Sequence, residues 1–227
     1  PDRVPVAVPD LTRRAVAFVA CHGPVTRAAL IDALWPEAGP DRATSNLRSL
    51  LWRMRRTPLP VEARGDLLHL VDARVDLHEE RELARRVIRG FPGAWQEAYE
   101  ARRLQRDLLP DWDEEWLAAE REQFRQLRLT ATDRLVDELT ADDRLGEAVE
   151  VALTVAATDP LRESSQRALI RAHLAMGNVA DALRQFERFR ERLADELGCG
   201  PSAALYQLVG SLTPPAQPPH VALVASP

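Results

Sequence analysis

The sequence predicts a mainly α-helical protein with one small β-hairpin, organised as two domains and a tail. Three observations support this fold class. Apolar residues recur at helical spacing in three segments before residue 57. The pattern then changes to the alternation typical of short strands in residues 61–77. Helical spacing returns afterwards and includes an internal repeat. We therefore expect domains at residues 1–77 and 78–213, followed by a proline-rich, disordered tail at residues 214–227.

The first elements are predicted from alternation, capping residues and stop signals. Residues 3–8 alternate and are rich in valine, which indicates a short strand. A first helix is expected from Asp10, a candidate N-cap, to Gly23, which with Pro24 forms a stop. Thr26 is a candidate N-cap for a second helix that ends at Trp35 and Pro36.

A third helix and a hairpin complete the first domain. The helix is expected over residues 41–56, with Asp41 as its N-cap and Pro58 and Pro60 beyond its end. Its apolar residues share one face: Ala43, Leu47, Leu50, Leu51 and Met54. Residues 61–64 and 67–71 then predict two strands around Gly65 and Asp66, and residues 74–77 a third. Three helices followed by a hairpin is the element order of a winged helix-turn-helix.

The second half predicts helices only. They are expected at residues 79–88, 95–109, 115–139, 145–158, 164–176, 179–197 and 203–212. Residues 144–148 align with residues 178–182 at an offset of 34, the tetratricopeptide period. Ala182 and Phe186 fall where that repeat has a small residue and an aromatic one, whereas Val136 and Ile170 replace a small residue. We therefore expect a TPR-like array of helical hairpins, with an unrelated helical bundle as the alternative.

Charge is divided between the two halves. The sequence has no lysine, so its thirty basic residues are all arginine, and its net charge is −5. Residues 1–78 contain eleven arginines against nine acidic residues, a net charge of +2, whereas residues 79–227 contain nineteen against twenty-six, a net charge of −7. This division is expected when one domain meets phosphate and the other does not.

Several classes of protein are disfavoured. No segment resembles a membrane span or an export signal, so we expect a cytoplasmic protein without a membrane partner. Cys21 and Cys199 match no disulfide or metal-site spacing, and both are expected to be packing residues. Phosphate-binding, zinc-protease and nucleophile-elbow motifs are all missing. We therefore expect neither catalysis nor a cofactor nor a metal site.

The third helix carries the densest basic cluster in the sequence, five arginines among residues 42–56 with no acidic residue between them. A helix that enters the major groove of DNA needs an apolar back that holds it rigidly and arginines that bind guanine edges or phosphates. A hairpin tip can add a backbone or minor-groove contact, and Arg13 and Arg14 are further candidates for phosphate contact. The alternative is a solvated basic face. The expected DNA-binding residues are Arg42, Ser45, Asn46, Arg48, Ser49, Trp52, Arg53, Arg55 and Arg56 from the helix, and Arg64 from the hairpin.

Two groups of motifs resemble a known family. Residues 30–36 (LIDALWP), Ala43 and residues 46–56 (NLRSLLWRMRR) closely resemble the DNA-binding domain of the SARP family, antibiotic regulatory activators with an OmpR-type winged helix. The second half resembles the bacterial transcriptional activator domain that follows it in that family. The similar segments there are residues 116–121, 159–163, 168–177, 182–186, 196–198 and 201–202.

The resemblance implies a function that the spacing of residues does not show. It implies a sequence-specific regulator of transcription that activates biosynthetic genes, binds direct repeats in double-stranded DNA with more than one protomer per site, and recruits RNA polymerase. The matching recognition helix is residues 43–56, with Arg48, Ser49, Trp52 and Arg53 as the main contacts.

One feature departs from the family pattern. The family has a strand pair before the first helix, of which only residues 3–8 remain here, so either the chain is a fragment or that sheet is reduced. The competing hypothesis for function is a TPR-like interaction adaptor whose winged domain no longer binds DNA.

Overall fold

The computed structural model describes residues 7–57, 59–100 and 102–211, which form two compact units. The first unit contains the described residues up to Glu82 together with residues 107–125, and the second contains residues 83–106 and those from 126 onward. The expected domain boundary after residue 77 stays a prediction. The predicted strand at residues 3–8 lies mostly outside the described residues, as do Pro58 and the tail; Ala7 and Val8 form no strand.

Helices dominate the described chain. In the first half they are α1 (Asp10–His22), α2 (Arg27–Leu34), α3 (Pro40–Met54) and α4 (Asp76–Ile88). In the second half they are α5 (Ala94–Glu100), α6 (Glu115–Ala141), α7 (Leu145–Thr158), α8 (Glu163–Ala175), α9 (Val179–Leu197) and α10 (Ala203–Gly210). A 3₁₀ turn, Arg103–Gln105, lies between α5 and α6. The predicted ranges of α7 and α9 are confirmed to the residue.

A small antiparallel sheet completes the first unit. Its strands are β1 (Val25–Thr26), β2 (Val61–Arg64) and β3 (Leu67–Leu70), in the spatial order β1-β3-β2. Gly65 has a φ of +60°, a left-handed conformation that glycine adopts without steric cost in the hairpin turn. The prediction of a third strand at residues 74–77 is wrong, because Asp76 begins α4 and β1 pairs with β3 instead. A strand of two residues is too short to show alternation.

Three local predictions need correction. Asp10 and Asp41 are not N-caps: they lie in the first turns of α1 and α3, where a carboxylate favours the positive end of the helix dipole. The predicted helix at residues 95–109 ends at Glu100, because Arg102 has a left-handed φ of +49°. The N-cap at Thr26 is confirmed, since its Oγ1 accepts a hydrogen bond from the Ala29 amide at 3.1 Å.

Each unit has its own apolar core. In the first unit, α1, α2, α3 and the sheet pack around Phe18, Leu30, Leu50 and Leu68. In the second unit, α8 packs against both α7 and α9. The repeat-related residues Ala148 and Ala182 are both completely buried there. These two positions, which the 34-residue offset relates, therefore have the same packing role, as expected for stacked helical hairpins.

The described part of the chain contains neither a candidate membrane-spanning helix nor a candidate metal-binding cluster. No helix there is long and apolar enough to cross a membrane, and no group of three or more His, Cys, Asp or Glu side chains is arranged to hold a metal ion.

Candidate nucleic-acid interface

Helix α3 is held by its apolar face. Pro40 occupies its first turn, where its fixed φ suits a helix start and its missing N–H removes no hydrogen bond. The helix packs against α1 and α2, and the five side chains that the sequence placed on one face are all buried. They are Ala43, Leu47, Leu50, Leu51 and Met54. The helix is therefore anchored by packing and needs no partner on its other side.

The opposite face of α3 is open to solvent. Eight of the nine DNA-contact residues that the sequence predicts on this helix are exposed, and Asn46 is half-buried. The exposed residues are Arg42, Ser45, Arg48, Ser49, Trp52 and Arg53 on α3, and Arg55 and Arg56 in the turn after it, since the helix ends at Met54 and not at residue 56 as predicted. We call these eight residues and Asn46 the α3 outer face. The structure therefore brings the predicted contacts of the helix together on one surface.

Trp52 is the largest apolar side chain on the α3 outer face, and 60% of it is exposed. The guanidinium carbon of Arg56, in the turn after α3, lies 4.8 Å from the centre of its ring. This is cation–π distance. The pair presents a flat apolar surface beside a positive charge, an arrangement suited to a base edge or a sugar next to a phosphate.

The arginines of the α3 outer face are not neutralised by the described residues. None of Arg42, Arg48, Arg53, Arg55 and Arg56 forms an ion pair with any residue that the structure describes. Arginines elsewhere are commonly paired with a carboxylate, for example Arg14 with Glu114 and Arg81 with Glu120, each at 2.5 Å. The positive charge of α3 is therefore available to an external anion such as phosphate.

The β2–β3 hairpin is attached to the start of α2. The Arg27 amide donates to the Asp66 carbonyl at 3.0 Å, and its Nε donates to the Gly65 carbonyl at 3.3 Å. Arg64 is exposed at the end of β2, beside this fastened turn, and has no ion pair within the described chain. Sequence reasoning missed the role of Arg27, since its partners lie far along the chain and no local motif marks them.

Arg13 and Arg14, the further candidates for phosphate contact, each form an ion pair. Arg14 is half-buried and pairs with Glu114. Arg13 pairs with Asp10 at 2.5 Å, and its guanidinium lies 5.4 Å from the centre of the Trp112 ring. The charge of Arg14 is therefore already paired within the first unit, whereas the Arg13–Asp10 pair is exposed and weak, so phosphate contact by Arg13 stays a prediction.

Comparisons with known proteins agree with this architecture. The family model described as the bacterial transcriptional activator domain matches residues 71–212. The regulatory protein AfsR of Streptomyces coelicolor is 30% identical over 196 residues, and AfsR of Streptomyces griseus is 29% identical over 198 residues. Each match covers 81% of this chain and 20% of the relative, so the chain spans about a fifth of the length of these curated relatives.

A solved structure shares the fold. Mycobacterium tuberculosis EmbR, solved in complex with a low-affinity phosphopeptide, superposes with a TM-score of 0.72 at 21% identity. The match covers 92% of this chain and 60% of EmbR. The likeness supports the fold class, a winged helix-turn-helix with a TPR-like helical domain, whereas the OmpR-type character of the winged helix stays a prediction.

The resemblance of the second half to the activator domain is confirmed by the family match, which spans more than half of the sequence. By that match, the chain belongs to the family of proteins that carry the bacterial transcriptional activator domain.

Proposed function

We propose that this protein is a sequence-specific, double-stranded-DNA-binding transcriptional regulator of the SARP type, and that it activates biosynthetic genes. The observation that carries the proposal is the α3 outer face, an exposed row of arginines without ion-pair partners in the described chain, on a helix fixed from behind by buried leucines. The relatives named AfsR are regulatory proteins, which agrees with this role.

The proposed mechanism is binding without chemistry. Helix α3 enters the major groove, where an arginine fork can bind the O6 and N7 atoms of guanine in bidentate fashion and select a base. The remaining arginines neutralise phosphates and set the register of the protein on the duplex. Trp52 supplies apolar contact to a thymine methyl group or a sugar. Arg64, beside the hairpin turn that Arg27 fastens, contacts the backbone or the minor groove.

The second unit supplies protein contacts in this proposal. Recruitment of RNA polymerase, and self-association of protomers on direct repeats, rest on the family resemblance alone. Residues 79–227 carry a net charge of −7, but the acidic surplus lies in residues 79–82 and 107–125, which belong to the first unit. The second unit contains sixteen arginines and sixteen acidic residues, so it has no net positive charge to attract DNA and fits a domain that meets proteins.

The proposal is tested by selecting fragments bound from the source genome, footprinting the sites, and measuring affinity by fluorescence anisotropy. Arg48→Ala and Arg53→Ala should each weaken binding by about 1–3 kcal/mol, or about 5- to 150-fold, if the side chain makes a bidentate base contact. Arg190→Ala is the matched control, because it removes an exposed helical arginine from α9 and should leave affinity unchanged.

Two results would contradict the proposal. If no genomic fragment is enriched, the protein is not a sequence-specific DNA binder. If Arg48→Ala and Arg53→Ala both bind as tightly as the unmodified protein, α3 is not the recognition helix.

A further inference from the structure

The second unit contains a groove between α7 and α9. The turn at Pro160 closes one end of it, and α8 lies beneath it. Its volume is about 230 Å³, below the roughly 300–1,000 Å³ of pockets that bury drug-sized molecules. The space suits one or two inserted side chains of a peptide rather than a whole small molecule.

The floor of the groove is apolar. Leu169 and Phe189 are buried at its base, and Ala156 lies beside them. Leu153 stands at the edge with 48% of its surface exposed. A lone exposed leucine is ordinary on a protein surface. Here, however, Leu153 extends the apolar floor of the groove. A bulky apolar side chain bound in the groove would therefore cover both the floor and Leu153.

One wall of the groove is an ordered series of polar groups. Gln166, only 2% exposed, donates from Nε2 to the Pro160 carbonyl at 3.1 Å, and its Oε1 accepts from Gln185 Nε2 at 2.5 Å. The Oε1 of Gln185 in turn accepts from Arg188 Nη2 at 2.6 Å. This series connects the exposed guanidinium of Arg188 to a buried, fully bonded amide, so the charge is positioned at the rim.

The rim of the groove is positive, whereas the second unit as a whole has no net charge. Arg188 and Arg192 line the groove, and no lining residue is acidic. Arg188 has no ion pair within the described residues. Arg192 lies 3.6 Å from Glu196, but both side chains are about half exposed, so this pair is weak. In a unit with equal numbers of arginines and acidic residues, two arginines beside an apolar floor form a local site for an anion.

We propose that the α7–α9 groove binds a short segment of a partner protein in which acidic residues flank a bulky apolar side chain. The apolar side chain covers Leu153 and Phe189, and the carboxylates bind Arg188 and Arg192. Charge-assisted hydrogen bonds from arginine to carboxylate give such a site its direction and selectivity. This binding surface lies outside the α3 outer face and does not depend on DNA binding.

The test uses the full chain and a random peptide library displayed on phage. Enriched peptides should carry net negative charge and at least one bulky apolar residue. Synthetic copies should lose about tenfold or more in affinity with Arg188→Glu/Arg192→Glu, because charged contacts become repulsive. Leu153→Ala should weaken the binding of the same peptides. DNA affinity should not change in either variant, which separates this proposal from the proposed function.

Arg184→Glu/Arg190→Glu is the matched control, since it makes the same charge change on α9 at arginines that do not line the groove. It should bind the peptides as the unmodified chain does, and thermal unfolding should show that all variants remain folded. The proposal is overturned if nothing is enriched, if the peptides are basic or neutral, or if the two double variants behave alike. It is also overturned if Arg188→Glu/Arg192→Glu changes the mass in solution, because the occupant would then be a second copy of this chain.

Discussion

Arginine has two separate roles in this protein, which depend on what surrounds each guanidinium. Arg14 and Arg81 are half-buried, and each is bonded to a carboxylate of the first unit, Glu114 and Glu120. Removing either would leave a partly buried carboxylate without this counter-charge, so their role is structural. Arg48 and Arg53 face solvent and touch no acidic group among the described residues. Because the chain has no lysine, residue type alone does not separate these roles.

The two cysteines should differ sharply in reactivity. Burial, and secondarily the nearby charge of Glu120, raises the pKa of the Cys21 thiol to about 11, so at pH 8 only about one thiol in a thousand is the reactive thiolate. Cys199 is exposed. We expect a thiol reagent at pH 8 to modify Cys199 quickly and Cys21 only after unfolding, as measured by mass spectrometry. Cys199→Ser should abolish the fast modification, and rapid labelling of that variant would contradict the packing of α1.

Within the single element α3, the inner face should determine stability and the outer face should determine DNA binding. Leu50 is completely buried on the inner face, so Leu50→Ala should lower the free energy of unfolding by about 2–5 kcal/mol. Arg48→Ala, on the outer face, should change it by no more than about 0.5 kcal/mol while still weakening DNA binding. Urea denaturation followed by circular dichroism provides the measurement. Equal losses of stability in the two variants would mean that the face assignment is wrong.

A single carboxylate joins α6 to the start of α8. Asp133 Oδ1 accepts from the Ser165 hydroxyl at 2.9 Å, and its Oδ2 accepts from Ser164 at 2.6 Å and faces Arg162 at 3.5 Å. Because Ser165 is buried, Asp133→Ala leaves its hydroxyl without an acceptor, and we expect a loss of about 1–3 kcal/mol in stability.

The matched control for this junction is Asp137→Ala. Asp137 is one turn further along α6 and pairs with the exposed Arg171 at 3.3 Å. An exposed pair of this kind contributes less than about 1 kcal/mol. If the midpoints of urea unfolding shift equally in the two variants, the hydroxyl contacts of Asp133 do not stabilise α8.

For the whole molecule, the number of arginines clustered on one surface determines how DNA binding should respond to salt. If each of the six arginines of the α3 outer face and hairpin neutralises one phosphate, the logarithm of affinity should fall with the logarithm of salt concentration with a slope of up to about −5 per protomer. Arg42→Ala should make that slope shallower by about 1 if it binds a phosphate. Titrations at several salt concentrations measure it. An adaptor whose winged domain does not bind DNA would show no such dependence.

Most of the α3 outer face could be predicted from the sequence, because a helix presents one face at intervals of three and four residues. The spacing of Ala43, Leu47 and Leu50 identified the buried side of the helix. The arginines of this segment were therefore expected on the opposite, exposed side. The same local logic placed the N-cap at Thr26 and the ends of α7 and α9. These features depend on neighbours within about one helical turn.

Contacts between distant residues were decided only by the tertiary structure. The pairing of β1 with β3, the fastening of the hairpin by Arg27, and the neutralisation of Arg14 by Glu114 all join residues that are far apart in sequence. The sequence by itself determined which faces of the helices are apolar, since periodicity is a local property. Only the folded chain determined which arginines remain free to meet a phosphate, because that depends on which carboxylates the fold brings beside them.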